Sequence, residues 1–89
     1  MGIGDPAAQA ARCVENLGIA LDAAGATLAD LVSTRVLVAS GRQADLVAAG
    51  EVVRDALAPH DPPSTLLGVT VLGDDDQLVE VEAVAAVVD

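Results

Sequence analysis

The 89-residue sequence has no aromatic residue, no lysine and a single cysteine, Cys13. Without Phe, Tyr or Trp, the core has to be built from Ala, Val and Leu, and for so small a chain we expect a partner subunit to add to it. Four arginines stand against fourteen acidic residues, which gives a net charge of -10. Because phosphate groups repel such a chain and no aromatic ring can stack on a base, we expect no nucleic-acid partner.

Metal-binding clusters and long apolar runs are also lacking. One cysteine cannot form an intrachain disulfide, and no Cys/His cluster has the spacing of a zinc site. The longest strictly apolar run, residues 83–88, is far shorter than the ~18 residues of a candidate membrane span. The N-terminus lacks the basic and apolar regions of a targeting signal, and the three consecutive aspartates, Asp74 to Asp76, lack the alternating ligands of a calcium loop. The sequence therefore predicts a cytoplasmic protein with no membrane partner, metal or cofactor.

Two segments have the periodicity of amphipathic helices. The first begins at Asp5-Pro6, where the aspartate can cap the first turn and the proline needs no hydrogen-bond partner, and it ends before Gly25. Its apolar positions recur every three or four residues: Ala7, Ala10, Val14, Leu17, Leu21 and Ala24. The second follows Ser40, which is expected to form a capping box with Gln43, and it ends before Pro59.

Three segments alternate in the manner of β-strands. The first follows Asp30 and runs to Val38, the second covers Ser64 to Leu72, and the third covers Leu78 to Val88. Between the last two lies the turn sequence Gly73 to Asp76. Its shortness predicts that these two strands pair as an antiparallel hairpin.

The order helix, strand, helix, strand, strand predicts a single α+β domain over residues 1–89. Two helices would cover one face of a small mixed sheet. The last strand carries apolar residues on both of its sides, so we expect the second face of the sheet to be buried against another subunit.

Several short sequence segments resemble those of the RidA/YjgF family in their order and spacing, over about residues 10–85. These segments are Asn16-Leu17, Leu21, Ala24-Gly25-Ala26, Asp30-Leu31-Val32, Arg35 to Val38, Pro63-Ser64-Thr65 and Leu78 to Ala85. The resemblance implies a chorismate-mutase-like fold that assembles as a homotrimer, with its sheets packed inward and small-molecule clefts between the subunits. The best-known members hydrolyse reactive enamines and imines. Older labels call the family endoribonuclease L-PSP or translation inhibitor.

Two departures from the family pattern bear on function. In the deaminases of the family, an arginine directly before the Ser-Thr or Ser-Cys pair holds the substrate carboxylate by a bidentate contact. Pro63 stands at that position here. The chain also starts close to the family's first long helix, without the preceding β-hairpin. The resemblance therefore implies a short, divergent member that is not an ordinary 2-aminoacrylate deaminase.

Four residues are candidates for a ligand site. Glu80 and Glu82 lie two apart on a strand, so their carboxylates are expected on the same side, about 7 Å apart. Glu80 matches the glutamate to which the resemblance assigns water positioning, and it is the candidate catalytic residue. Ser64 and Thr65 occupy cleft positions of the family and, with Glu82, are the candidate ligand-binding residues. The alternatives are that both glutamates face solvent or pair with an arginine across an interface, and that Ser64 is an ordinary loop residue.

The sequence thus predicts a small oligomeric protein that binds a small metabolite in clefts between its subunits. Two alternatives stay open. One is an enamine or imine hydrolase of altered specificity, for which a carboxylate-binding arginine is irrelevant. The other is a non-catalytic assembly or regulatory subunit.

Overall fold

A computed structural model describes residues 4–87, which form two helices, a short 3-10 turn and three strands. Helix α1 spans Pro6–Ala23 and helix α2 spans Gln43–Leu57. The strands are β1 (Leu31–Val38), β2 (Ser64–Gly68) and β3 (Val79–Ala85). The two helices and the small mixed sheet confirm the predicted α+β class.

Helix α1 begins as its sequence predicts. The Asp5 side chain accepts a hydrogen bond from the Ala8 amide at 3.1 Å, and Pro6 occupies the first turn. The chain leaves the helix through Gly25, whose φ of +81° is a conformation that favours glycine. The face that packs on the sheet carries the predicted stripe, with Ala10, Val14 and Leu21 buried. Neither helix in residues 4–87 is long and apolar enough to cross a membrane.

The start of α2 differs from the expected capping box. The helix begins at Gln43 with Arg42 as its N-cap, so Ser40 lies two residues before the N-cap instead of occupying it. The Ser40 hydroxyl instead accepts a hydrogen bond from the Arg42 amide at 3.0 Å and donates to the Asp45 carboxylate at 2.7 Å. Helix α2 ends at Leu57, just before Pro59, as predicted.

The sheet has the order β2-β1-β3, with β1 in the centre, parallel to β2 and antiparallel to β3. The predicted hairpin between the last two strands is therefore wrong. Val36 and Val38 are almost completely buried, so β1 takes the central position and each later strand pairs with it instead of with the other. At the end of β1, the Val38 carbonyl accepts a hydrogen bond from the Val69 amide, and the Ala39 amide donates to the Leu78 carbonyl.

The second and third strands are also shorter than predicted. Strand β2 ends at Gly68 instead of Leu72, and β3 covers Val79–Ala85. The segment between them has to cross from one edge of the sheet to the other, which takes residues 69–78 out of the strands. The predicted end of the last strand at Val88 lies outside the described residues.

The core lies between the helices and one face of the sheet. Thr34, Val36 and Val38 of β1 and Val79 of β3 are buried on that side. The alternating side chains of the three strands point the other way, where no helix covers them. We call this second side the open face; its residues are Ser33, Arg35, Leu37, Thr65, Leu67, Glu80, Glu82 and Val84.

Candidate functional site

A row of three polar side chains crosses the open face. Arg35 on the central strand lies directly opposite Thr65 on one side and Glu82 on the other. Directly opposed side chains on neighbouring strands are roughly 4.5–5.5 Å apart at their Cβ atoms, close enough to interact. The sheet register therefore brings together residues that lie far apart in the sequence.

Arg35 and Glu82 form an ion pair in this row. Arg35 donates from Nε and from Nη2 to Oε1 of Glu82, at 3.0 and 2.6 Å. The side chains are 55% and 47% exposed, so the pair contributes little to stability, about 0.2–1 kcal/mol. The sequence left open that a glutamate pairs with an arginine across an interface; here Glu82 pairs within the chain, between neighbouring strands.

Glu80 lies in the next row of the open face, opposite Leu37, which in turn lies opposite Leu67. Its side chain is half-buried. Within residues 4–87, the Glu80 carboxylate has no hydrogen-bond or ion-pair partner. The two glutamates thus share a face, as their spacing predicts, but only Glu82 is neutralised by a cation.

Ser64 is separated from the other candidates, because successive residues of a strand point to opposite faces. It lies opposite Thr34 on the helix-facing side, and its Oγ accepts a hydrogen bond from Oγ1 of Thr34 at 2.9 Å. Thr65, the next residue, is on the open face. Ser64 and Thr65 therefore point to opposite sides of the sheet, yet Ser64 still lines the same surface depression as Thr65 and Glu82, whereas Glu80 is not among the lining residues.

His60 does not activate Ser64. Its Nε2 lies 2.9 Å from the carbonyl oxygen of Leu31. A carbonyl oxygen only accepts hydrogen bonds, so Nε2 carries a proton and donates it there. This atom therefore cannot serve as the base for a serine nucleophile.

Two depressions border the candidate residues. One of about 410 Å³ lies on the open face, where Arg35, Pro63, Thr65 and Glu82 are among its lining residues. The other, of about 350 Å³, runs between α2 and β2 and includes Ser64 and His60. Pro63 lines the open-face depression, so the position at which the family pattern has an arginine borders the same space as Ser64, Thr65 and Glu82.

Titratable groups elsewhere form no metal site. In the part of the chain that the structure describes, no three His, Cys, Asp or Glu side chains are placed to hold a metal ion. The Cys13 thiol donates to the Val79 carbonyl at 3.5 Å. Burial raises the pKa of Cys13, a hydrogen bond with the Val81 backbone lowers it, and the negative charge of Glu80 raises it further. The thiol is therefore poorly suited to act as a thiolate nucleophile.

Sequence reasoning did not place Arg35 in the site. The sequence marks it as a cation on a strand, but its proximity to Thr65 and Glu82 depends on which strands pair and in which register. A pairing of the first and last strands would have shown it, since Arg35 and Glu82 then lie opposite each other.

The chain matches a family model described as Endoribonuclease L-PSP over residues 1–87. It is similar to the solved structure of a YjgF-family protein from Mycobacterium tuberculosis, with 39% identity, a TM-score of 0.87, and coverage of 98% of this chain and 71% of that one. A Rid-family protein of unknown function from Yersinia pestis is 31% identical, with a TM-score of 0.83, 97% of this chain covered and 65% of that one.

A third structure, a protein of unknown function from Pseudomonas aeruginosa, is 32% identical, with a TM-score of 0.75 and coverage of 85% of this chain. The match spans only 54% of that chain. No curated protein matches the sequence.

Proposed function

Because the chain belongs to the endoribonuclease L-PSP family, whose solved members include YjgF and Rid proteins, we propose that it is an oligomeric protein that binds a small metabolite on its open face. The ligand would contact Thr65, Glu80 and Glu82 in a cleft that a second copy completes. The observation that carries the proposal is the depression that Thr65, Arg35 and Glu82 line on the face that the helices leave uncovered, with Glu80 in the next row of the same face.

The exposure of β2 supports assembly. Every residue of this strand is exposed, and it forms an edge of the sheet. Leu66 on its helix-facing side is 39% exposed and Leu67 on the open face is 42% exposed. A bare edge strand with apolar side chains on both sides is a site for association with another chain. A second copy seated there would cover Leu67, and the proposal includes the homotrimer that the family resemblance implies.

Pro63 argues against a carboxylate substrate of the 2-aminoacrylate type. A proline side chain has no charge and no donor, so it cannot hold a carboxylate at the edge of the cleft. The proposal therefore does not include ordinary 2-aminoacrylate deamination. It places the protein in the cytoplasm without a nucleic-acid partner, because the net charge of -10 opposes binding to phosphate groups.

Hydrolysis of an imine of altered specificity is the second candidate, and the unpaired carboxylate of Glu80 favours it. In this reaction Glu80 would accept a proton from water as the water oxygen bonds to the imine carbon. Glu80 passes this proton to the nitrogen, which gives an intermediate with a hydroxyl and an amino group on the same carbon. The hydroxyl proton then moves through Glu80 to the nitrogen, the carbon–nitrogen bond breaks as the carbon–oxygen double bond forms, and a carbonyl compound and ammonia leave with Glu80 ionised again.

Sedimentation equilibrium tests the assembly. The expected particle mass is three times the 8.8 kDa of the chain. A folded monomer at micromolar concentration would overturn the oligomer, and with it the intersubunit cleft.

An assay with freshly generated 2-aminoacrylate tests the chemistry. We expect no acceleration of ammonia release over the uncatalysed reaction. Rapid turnover that Glu80→Ala abolishes would establish the deaminase instead. If the trimer forms but small molecules cause no change at the open face, the face is a sealed contact and the protein is an assembly subunit.

A further inference from the structure

The open face carries more acidic than basic side chains, and this excess bears on the kind of ligand that the face binds. Arg35 is the only cation among its residues, and it directs both Nε and Nη2 at Glu82. Two of the other three arginines are paired on the helices, Arg12 with Glu15 and Arg54 with Asp55, and Arg42 lies in the loop before α2. The positive charge of Arg35 on the open face is thus already paired with Glu82 within the chain.

Glu80 has no cationic partner among the described residues, and its surroundings partly exclude water. It is half-buried, it lies opposite Leu37, and Leu67 follows in the same row. A carboxylate without a partner beside apolar side chains gains when a cation joins it, since the pair recovers part of the solvation that the carboxylate lost. Leu37, directly opposite Glu80, offers a surface for a short hydrocarbon part of the same ligand.

We infer that the open face selects a ligand with a cationic nitrogen and a short apolar part over a carboxylate of the same shape, with Glu80 as the binding residue for the cation. The inference rests on the proposed function, because it concerns the ligand of that same site. Two carboxylates and one guanidinium leave the face with one net negative charge. The charge of -10 on the whole chain adds a field of the same sign that attracts cations and repels anions.

Three probes with one carbon skeleton test the inference: isopentylamine, isovaleramide and isovalerate, which are cationic, neutral and anionic at pH 7. Each is titrated into the intact ¹⁵N-labelled protein, and the amide chemical shifts of β1, β2 and β3 are followed. Since an exposed ion pair is worth about 1 kcal/mol at most, we expect the amine to bind about fivefold more tightly than the amide and the carboxylate to bind most weakly. Tighter binding of isovalerate than of isopentylamine would overturn the inference and leave the proposed function intact.

If none of the three probes changes the amide chemical shifts of the open-face residues, the proposed function is overturned as well. The two failures are therefore distinguishable in one experiment.

Two variants separate the roles of the glutamates. Glu80→Gln keeps the shape and removes the charge, so the amine should lose its advantage over the amide. Glu82→Gln leaves Arg35 without its carboxylate, so isovalerate should gain affinity about fivefold, as a newly available guanidinium pairs with it. The control Glu51→Gln removes one negative charge from α2, on the other side of the sheet, and should leave the order of the probes unchanged. An equal loss of preference in Glu51→Gln would show that only the overall charge matters and would overturn the role of Glu80.

Discussion

The buried side-chain amide of Gln9 binds the backbone of Leu78 as a neighbouring strand would. Its Oε1 accepts a hydrogen bond from the Leu78 amide at 2.7 Å, while its Nε2 donates to the Asp76 carbonyl at 3.0 Å. One side chain of α1 thereby satisfies backbone groups just before β3 that have no strand partner there. This contact joins residues 69 positions apart and fixes where the last strand begins.

Replacement of Gln9 by methionine should destabilise the protein. The volume is kept, but a partly buried amide and carbonyl lose their partners, which costs about 1–3 kcal/mol. The free energy of unfolding from urea denaturation measures this. Gln43→Met, at an exposed position of α2, is the matched control and should change it by less than about 0.5 kcal/mol. Equal effects of the two substitutions would contradict the role of the Gln9 contacts.

Val38→Ala tests the central position of β1. Val38 has no exposed surface, so the loss of two methyl groups should lower the free energy of unfolding by about 2 kcal/mol. Val71, which is 75% exposed in the segment between β2 and β3, provides the control. Val71→Ala should have an effect within about 0.5 kcal/mol. A neutral Val38→Ala would mean that β1 does not lie in the middle of the core.

Leu67→Glu tests whether the open face is covered in solution. A charge placed at Leu67 would meet the second copy and Glu80 on the same face, and both effects oppose association. Sedimentation velocity should show a shift towards monomer at micromolar concentration. Val71→Glu adds the same charge outside the sheet and should leave the sedimentation coefficient unchanged. An unaltered oligomer in Leu67→Glu would mean that assembly uses another surface.

Cys13 reports on both its burial and the charge of Glu80. Burial raises the pKa of the thiol above its ordinary value of 9.0, and Glu80 adds to the increase. Alkylation by iodoacetamide should therefore be slower in the folded protein than in urea, with its midpoint above pH 9.0. Glu80→Gln should lower that midpoint, whereas Glu51→Gln should not. A midpoint that both variants leave unchanged would contradict the effect of Glu80 on the thiol.

The same pKa shift has a consequence for stability. The folded state holds the Cys13 proton more tightly than the unfolded chain, so the contribution of this group is fully present below the unfolded pKa and is lost as the pH rises through the folded pKa. The free energy of unfolding should therefore decline above about pH 9, and less so in Cys13→Ala. An equal decline in that variant would assign the pH dependence to other groups.

The sequence predicts the individual helices and strands of this fold more completely than it predicts which strands pair with each other. The capping position of Asp5 and the stripe from Ala10 to Leu21 suffice for α1, because a helix depends on residues three or four apart. The turn at Gly73 to Asp76 suggests a hairpin, yet each later strand pairs with β1 because its valines form the centre of the core. Which strands pair depends on the relative stability of contacts between segments that are distant in the sequence, so it cannot be predicted from any one segment alone.

For the candidate site, too, local spacing predicts some features and the pairing of distant strands determines the others. That Glu80 and Glu82 share a side follows from their spacing alone, and so does the separation of Ser64 from Thr65, because neighbouring residues of a strand alternate. The ion pair of Arg35 with Glu82 requires the antiparallel register of β1 and β3, which depends on the whole sheet. Sequence reasoning therefore identified the carboxylates but not the cation that pairs with one of them, Glu82.

The strand order also has a consequence for synthesis on the ribosome. Strand β1 is synthesised before both of the strands that pair with it. Ser64, which bonds to Thr34, follows it by 30 residues, and Glu82, which pairs with Arg35, follows it by 47. One edge of the nascent strand stays uncovered until β2, Ser64–Gly68, has left the exit tunnel, and the other until β3, Val79–Ala85, has left it. Pauses in translation after residue 40 would thus lengthen the period in which a valine-rich strand is open to aggregation.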